Sequence, residues 1–137
     1  MSHFHAVVWL DHRNAHVFHV TANEAEEIEV AAAPPVHVAE HFKHLHHRAG
    51  DRDGKRAPED QHYYQAVVDA LAGAQEWLIV GPATAKLELV KHIHRHCPQM
   101  VDRVIGIESV DHPTDGQLLA HARAYFRAAD RMRPQLH

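Results

Sequence analysis

Residues 76–90 read EWLIVGPATAKLELV, and this stretch decides the fold class. Its first five residues, Glu76–Val80, form a short continuous apolar run that is typical of a strand buried on both faces. Gly81-Pro82 then starts a helix, because proline is favoured at the first helical position. The apolar residues that follow recur at helical spacing and face the core: Leu89, Val90 and Ile93. A buried strand followed directly by an amphipathic helix is half of a parallel crossover unit.

The C-terminal third of the chain repeats this order. Arg103–Val110 (RVIGIESV) is predicted to be a second buried strand. Thr114 and Gln117 have the spacing of a capping box, in which each side chain bonds to the backbone N–H of the other residue, and they begin a last helix. Strand, helix, strand and helix with short connections indicate a parallel βαβα unit.

The N-terminal part of the chain predicts a β-hairpin. His5–Leu10 and Ala15–Val20 are rich in β-forming residues and are separated by a polar turn. Glu26–Val30 is predicted to be a short third strand. Ala31–Pro58 has neither helical nor strand periodicity and is predicted to be a long loop, after which Pro58 opens a helix. The fold class is therefore α/β, a sandwich in which an N-terminal β-hairpin is followed by βαβα, with a mixed central sheet and helices on its faces.

The composition fits one domain that spans residues 1–137. Apolar residues make up 45% of the chain, which is enough for a packed core. The single cysteine excludes an internal disulfide. No apolar run approaches the ~18 residues that a membrane helix needs. Because no signal peptide precedes the first strand, we expect a cytoplasmic protein.

Histidine is the most unusual component, with 17 copies in 137 residues. About a quarter of such groups carry a proton at pH 7, so the formal charge of −4 rises to near zero. Any contact with nucleic acid must therefore come from a local patch. The long loop offers one, made of Lys43, His44, His46, His47, Arg48, Arg52, Lys55 and Arg56. This patch could contact phosphates, and it could equally be a solvated polar loop.

The same loop could instead hold a metal ion. Zinc needs three or four nitrogen, sulfur or oxygen ligands. The candidate ligands are His44, His46, His47, Asp51 and His112. No cysteine pair or His-Glu-x-x-His string is present, so solvated histidines remain the alternative. His92 and His96 are a second pair on a predicted helix, but with Lys91 and Arg95 they are typical of a solvated basic face.

An anion-binding site is predicted at the carboxyl ends of the two parallel strands, where α/β folds commonly bind ligands. Gly81 and Pro82 begin a helix there, and Lys86 lies four residues after Pro82. Backbone N–H groups and an ammonium could together hold a phosphate or a carboxylate. Asp111 and Asp115 follow the next strand and form a neighbouring polar site. The alternative is that the turn only begins a helix while Lys86 reaches to solvent.

Five stretches carry a resemblance to a known family: HFHAVVWLDHRNAHVFHV (3–20), HLHHRAG (44–50), APEDQHYY (57–64), GPATAKLELVKHIHRH (81–96) and VDHPTDGQLLAHARAYF (110–126). They resemble the bacterial relatives of the third domain of archaeo-eukaryotic peptide-chain release factors and Pelota, a group described as translational machinery proteins. The resemblance implies an α/β sandwich and a connection to ribosomes. It does not imply peptide release, because that activity belongs to a Gly-Gly-Gln loop in a different domain of the family. The nearest string here, Asp115-Gly116-Gln117, falls in the first turn of a predicted helix.

These observations favour a small non-catalytic binding module associated with the translation apparatus. The expected partner is the ribosome or RNA, with no membrane contact and no cofactor. The alternative is an enzyme, a metal-dependent phosphoesterase or nuclease that uses the histidine cluster with Lys86, Asp111 and His112, with zinc as its metal. Whether the chain forms a homo-oligomer stays open.

Overall fold

The structure, a computed structural model, describes residues 4–32 and 52–132. Within these ranges the elements are β1 (His5–Leu10), β2 (Asn14–Val20), β3 (Ala25–Ala31), α1 (Arg52–Leu71), β4 (Glu76–Gly81), α2 (Ala85–His96), a 3₁₀ helix (Pro98–Arg103), β5 (Val104–Ser109) and α3 (Asp115–Met132). The strands form one sheet of order β3-β2-β1-β4-β5. β1 pairs antiparallel with β2 and parallel with β4, and β4 pairs parallel with β5. The predicted α/β architecture with a mixed sheet is confirmed.

Helices cover both faces of the sheet because the central strands carry apolar residues on both sides. Every residue of β4 is buried, as its continuous apolar run predicts. The apolar stripe of α1 packs on one face together with α2, through Tyr63, Tyr64, Val67, Val68 and Leu71. On the opposite face α3 packs through Leu118, Ala122 and Phe126. The core therefore consists of two apolar layers separated by the sheet.

The predicted hairpin is confirmed, and its turn shows why the chain reverses there. The Asp11 side chain accepts hydrogen bonds from the backbone N–H groups of Arg13 and Asn14, both at 2.8 Å. An aspartate that bonds to the backbone two and three residues ahead stabilises a tight turn. The predicted third strand is also present, as β3 on the outer side of β2.

Two predicted helix starts are wrong. α1 begins at Arg52 instead of Pro58, so residues 52–58 of the predicted loop are helical. The first turns of α1 are charged and polar and have no apolar periodicity to reveal them. α2 begins at Ala85, because Gly81 still belongs to β4 and a short turn separates it from the helix. Residues 33–51 of the predicted loop lie outside the described residues.

The prediction of a buried last strand is also wrong, since β5 is a half-buried edge strand. Its Ile107 side chain is 41% exposed. An edge strand has a neighbour on one side only, and an apolar sequence cannot tell an edge position from a central one. Gly106 is required here for a packing reason, because a Cβ atom at this position would lie 2.2 Å from the Tyr125 hydroxyl.

The capping box at the start of α3 is confirmed. The Thr114 backbone N–H donates to Gln117 Oε1 (2.9 Å), and the Gln117 backbone N–H donates to Thr114 Oγ1 (3.1 Å). The side chain of Gln117 in the Asp115-Gly116-Gln117 string thus caps the start of α3. Across the described ranges, no helix combines the length and the apolar character that crossing a bilayer requires.

Candidate functional site

The parallel strands β1, β4 and β5 all end at one edge of the sheet, called here the carboxyl edge. Two hydrogen bonds tie the loops of this edge together. The Val110 backbone N–H donates to Gly81 O (3.1 Å), and the Trp9 indole N–H donates to Asp111 O (2.6 Å). The loops that carry the predicted site are therefore neighbours, as the parallel pairing of the strands requires.

Gly81 allows the end of β4 to approach the end of β1. A Cβ atom at position 81 would lie 2.2 Å from the carbonyl oxygen of Leu10, far inside van der Waals contact. The turn after Gly81 consequently lies beside the hairpin turn, where Thr84 Oγ1 is 3.4 Å from His12 Nε2. The geometric role of Gly81 is thus a close backbone approach, which any larger residue would prevent.

Lys86 lies in the first turn of α2 and is only 7% exposed. Its ammonium donates to the backbone oxygen of Ala83, in the turn that precedes the helix. The alternative in which Lys86 reaches to solvent is therefore wrong. An ammonium has three N–H donors. The backbone N–H groups of Leu87 and Glu88 donate to Thr84 O, which leaves those of Ala85 and Lys86 as the candidate donors to a ligand. A positive charge and backbone donors are thus held close together at the carboxyl edge.

The acidic residues of this edge face solvent. The side chain of Asp111 is 94% exposed, and its Oδ1 lies 3.4 Å from Nδ1 of His112, which is 70% exposed. The His112 ring packs against Trp9, and the centroids of the two rings are 5.0 Å apart. Asp115 is exposed at the first position of α3. These groups form an open polar rim at the carboxyl edge.

Tyr63 fastens α1 to the carboxyl edge, because its hydroxyl donates to Asp11 O at 2.8 Å. Burial, then the charge of Asp11, then Tyr64 raise the pKa of Tyr63 far above its ordinary value, so the hydroxyl remains a donor at all physiological pH values. From this contact α1 runs to Leu71, five residues before β4 starts at the opposite edge. The amino end of α1 therefore lies on the side of the carboxyl edge.

The predicted basic loop is attached to this same edge. Before it, the Ala32 backbone N–H donates to Arg13 O in the hairpin turn at 2.7 Å, and after it comes the amino end of α1. The residues Lys43, His44, His46, His47 and Arg48 lie outside the described residues. The residues Arg52, Lys55 and Arg56 belong to the first turns of α1. The first attachment point, Ala32, therefore lies at the hairpin turn, and α1 contacts the same turn through Tyr63.

The prediction of a solvated basic face on α2 is wrong for His92, which is 4% exposed. Its Nε2 lies 2.9 Å from Gln65 Oε1, and its Nδ1 lies 2.5 Å from Gln61 Oε1. Burial lowers the pKa of His92, as does the neighbouring His96, while Asp69 opposes both. A signal was present in the sequence, since His92 follows the buried Leu89 by three residues on the same helical stripe.

Two groups of possible metal ligands converge within the described residues. One consists of His5, Glu76 and Asp130, and the other of His16, Glu27 and Glu29. His112 belongs to neither group, and the remaining predicted ligands, His44, His46, His47 and Asp51, lie outside the described residues. The sequence prediction therefore missed both groups, because each joins residues from different strands or from a strand and a helix.

The fold is similar to part of Pelota. No protein-family model matches the chain, and no curated protein sequence matches it significantly. The structure of Pelota from Thermoplasma acidophilum superposes with a TM-score of 0.55 at 20% identity, over 87% of this chain and 31% of that one. Pelota from Archaeoglobus fulgidus gives a TM-score of 0.55 at 12% identity, over 92% of this chain and 35% of that one. This chain spans about a third of the length of either.

An archaeal translation termination factor, aRF1, superposes more weakly, with a TM-score of 0.48 at 13% identity over 93% of this chain and 38% of that one. At these identities the two Pelota structures establish a shared fold and nothing finer. The chain has the α/β fold of one part of Pelota. Its activity and its partners need evidence from its own residues.

Proposed function

We propose that the chain is a small non-catalytic binding module of the translation apparatus that contacts the ribosome or RNA through its basic and histidine-rich segment. Two lines of support point to translation. Five stretches of the sequence resemble the third domain of release factors and Pelota, and the fold is similar to part of Pelota. Neither line supports an inherited reaction, because the Asp115-Gly116-Gln117 string serves as a helix cap.

The main support for this surface is the position of the two elements that flank the basic and histidine-rich segment, namely the end of β3 and the helix α1. Ala32 is bonded to the hairpin turn, and the helix that begins at Arg52 is fastened to the same turn by Tyr63. Lys86 and the first turn of α2 lie at the same edge. A basic segment whose preceding strand and following helix both contact the hairpin turn can present a positive surface to phosphates together with Lys86 at the same edge.

The positive charge of this surface depends on pH, and it is confined to one segment of the chain. The chain as a whole has a formal charge of −4, so attraction to a polyanion must come from this patch. Phosphate contacts release counterions, and the affinity of such contacts falls steeply as salt rises. Binding should therefore strengthen as the pH drops from 7.5 towards 6.5, because more histidines carry a proton.

The test is ribosome co-sedimentation of a variant with His44, His46, His47 and Arg48 all replaced by Gln. We expect binding to weaken about tenfold at low salt and less at high salt, because a phosphate-directed contact is salt-dependent. The melting temperature should change little, since each solvated surface change typically costs less than ~0.5 kcal/mol. A matched control replaces the exposed Lys91, His94 and Arg95 of α2 by Gln, which removes more permanent charge from another surface.

The control variant should sediment with ribosomes as the parent chain does. Equal losses in the two variants would mean that only overall charge matters, and the proposed surface would be wrong. Unfolding of the fourfold variant would mean that the segment is structural, which also contradicts the proposal.

A further inference from the structure

A second polar cluster lies at the amino edge of the sheet, opposite the carboxyl edge. His5 is the first residue of β1, and Glu76 is the first residue of β4 and its in-register partner. Asp130 approaches them from the last turns of α3. One potential ligand atom of each side chain lies within 4.8 Å of those of the other two. The cluster therefore joins two adjacent parallel strands and the helix that covers them.

The two strand residues are held in place before any ligand binds. The His5 ring stacks on Phe126 of α3, with centroids 4.2 Å apart, and it contacts the edge of Phe4. The backbone N–H of Glu76 donates to Phe4 O at 2.8 Å. The side chains of His5 and Glu76 are only 19% and 12% exposed. Ligands on rigid, packed elements lose little conformational freedom on binding, which favours affinity.

The spacing of the ligand atoms fits a metal ion. His5 Nε2 and Glu76 Oε1 are 3.3 Å apart. Two atoms that bind one tetrahedral zinc ion, each at about 2.0–2.1 Å, lie about 3.3 Å from each other. His5 Nε2 is buried and, among the described residues, accepts or donates no hydrogen bond. A buried ring nitrogen that faces a carboxylate oxygen at this distance is suited to share a cation with it.

The site also has an open side. Asp130 is exposed, and a cavity of about 180 Å³ adjoins it and His5. Arg123 lines the cavity and donates to Thr21 O (2.9 Å) and Glu24 O (3.0 Å), so the wall that it forms is fixed to the turn between β2 and β3. A water molecule or an anion in the cavity could complete the coordination of a metal bound by three protein ligands.

The second group of ligands, formed by His16, Glu27 and Glu29, is a weaker candidate. His16 Nδ1 lies 2.9 Å from Glu27 Oε2, as in an ordinary hydrogen-bonded pair on a sheet surface. The Glu29 side chain is 70% exposed. Ion pairs of this kind are common on protein surfaces without any metal, because solvent satisfies their charges.

We propose that His5, Glu76 and Asp130 bind a divalent transition metal ion of the zinc class, which ties the last turns of α3 to the amino ends of β1 and β4. An imidazole with two carboxylates favours such ions over Mg²⁺ and Ca²⁺, which prefer oxygen ligands only. Bound metal stabilises the fold, because the three ligands converge only in the folded chain. None of its three ligands belongs to the histidine-rich segment that precedes α1.

The experiment is a titration of the full chain, purified without a metal-affinity column and freed of metal, with Co²⁺ and then with Zn²⁺. Four-coordinate Co²⁺ has a visible absorption that six-coordinate Co²⁺ nearly lacks, and Zn²⁺ should displace it. We expect one such site per chain and a rise in melting temperature with Zn²⁺. Asp130→Asn should weaken binding at least tenfold, since loss of one ligand of three removes a charged donor.

Asp130 is exposed, so Asp130→Asn should melt with the parent chain in the absence of metal. Glu76→Gln should abolish the four-coordinate spectrum, and if that variant fails to fold, Asp130→Asn alone decides. The control is His94→Gln, which removes an exposed histidine from α2 and should change nothing. Unchanged Co²⁺ affinity in Asp130→Asn, or equal loss in His94→Gln, would overturn the proposal.

Discussion

At the carboxyl edge of the sheet the acidic side chains face solvent, whereas at the amino edge the polar side chains face one another. Asp111 is 94% exposed at the carboxyl edge, while Glu76 is 12% exposed at the amino edge. The first edge consists of turns joined by hydrogen bonds, and its exposed side chains are available to a partner. The second brings the partly buried side chains of two strand residues together with an exposed side chain of α3, which is the arrangement proposed above to bind a cation. Thus, the same sheet offers an extended surface and a compact site.

The largest expected effect of a single change at the carboxyl edge is that of Gly81→Ala. The added methyl group would meet Leu10 O at 2.2 Å, so β1 and β4 would have to separate where the loops are joined. We expect a loss of about 1–3 kcal/mol, which is the usual range for overpacking. Chemical denaturation monitored by circular dichroism measures it.

The control for Gly81→Ala is Gly116→Ala, where a Cβ atom would meet nothing within 4 Å. Alanine replaces glycine in a helix there, so stability should rise by up to about 1 kcal/mol. If Gly81→Ala were as stable as the parent chain, the close approach of the two strands would be wrong.

We expect a smaller effect on stability when inorganic phosphate is added to the chain. If the carboxyl edge binds anions through Gly81, Pro82 and Lys86, phosphate should raise the melting temperature, because it binds the folded chain only. Lys86→Met removes the charge while keeping an apolar stem of similar length, and it should lower the affinity for phosphate about tenfold. Calorimetric titration with phosphate measures that affinity.

Lys91→Met is the matched control for Lys86→Met, because Lys91 lies on the same helix but is exposed. It should leave phosphate binding unchanged. A phosphate effect that survives Lys86→Met would assign the anion to another part of the chain and remove Lys86 from the site.

The smallest expected effect is the pH dependence of stability that comes from His92. This residue lies between the two edges of the sheet, where α1 packs against α2. Because burial lowers the pKa of His92, the folded chain binds fewer protons than the unfolded chain just below the unfolded value of about 6.5. Stability should therefore be fully present above that pH and should fall as the pH drops below it. Denaturation at pH 7.5 and 5.5 measures the difference.

His92→Gln should be less dependent on pH than the parent chain, while the exposed His94→Gln should keep the parent's dependence. If His92→Gln and the parent lost the same stability between the two pH values, other histidines would account for the whole effect.

Local patterns in the sequence predicted local structure well. The Thr114 and Gln117 capping box is present as predicted, because both partners lie within one turn of chain. The hairpin strands were also predicted closely, since their alternation and the polar turn between them need no knowledge of the rest of the fold. The start of α1 at Arg52 was missed because its first turns carry charge without apolar periodicity.

Features that depend on tertiary neighbours were not predicted. The exposure of β5 follows from its position at the sheet edge, which its apolar sequence does not encode. The position of His92 on the Leu89 stripe indicates burial, but only the packing of α1 shows that two glutamines enclose it. His5, Glu76 and Asp130 come from three distant parts of the chain, and pairing of β1 with β4 is what brings the first two together.

Because Trp9 contacts the loop after β5, its intrinsic fluorescence can report changes at the carboxyl edge. The indole N–H of Trp9 is bonded to Asp111 O, and the His112 ring lies against the indole. The second tryptophan, Trp77, is fully buried in the core and is insulated from this edge. The emission of an indole depends on the groups that touch it, so the emission of Trp9 is sensitive to the position of the His112 ring and of the loop that carries it. A molecule that covers the carboxyl edge can thus be followed through emission alone, without any added label.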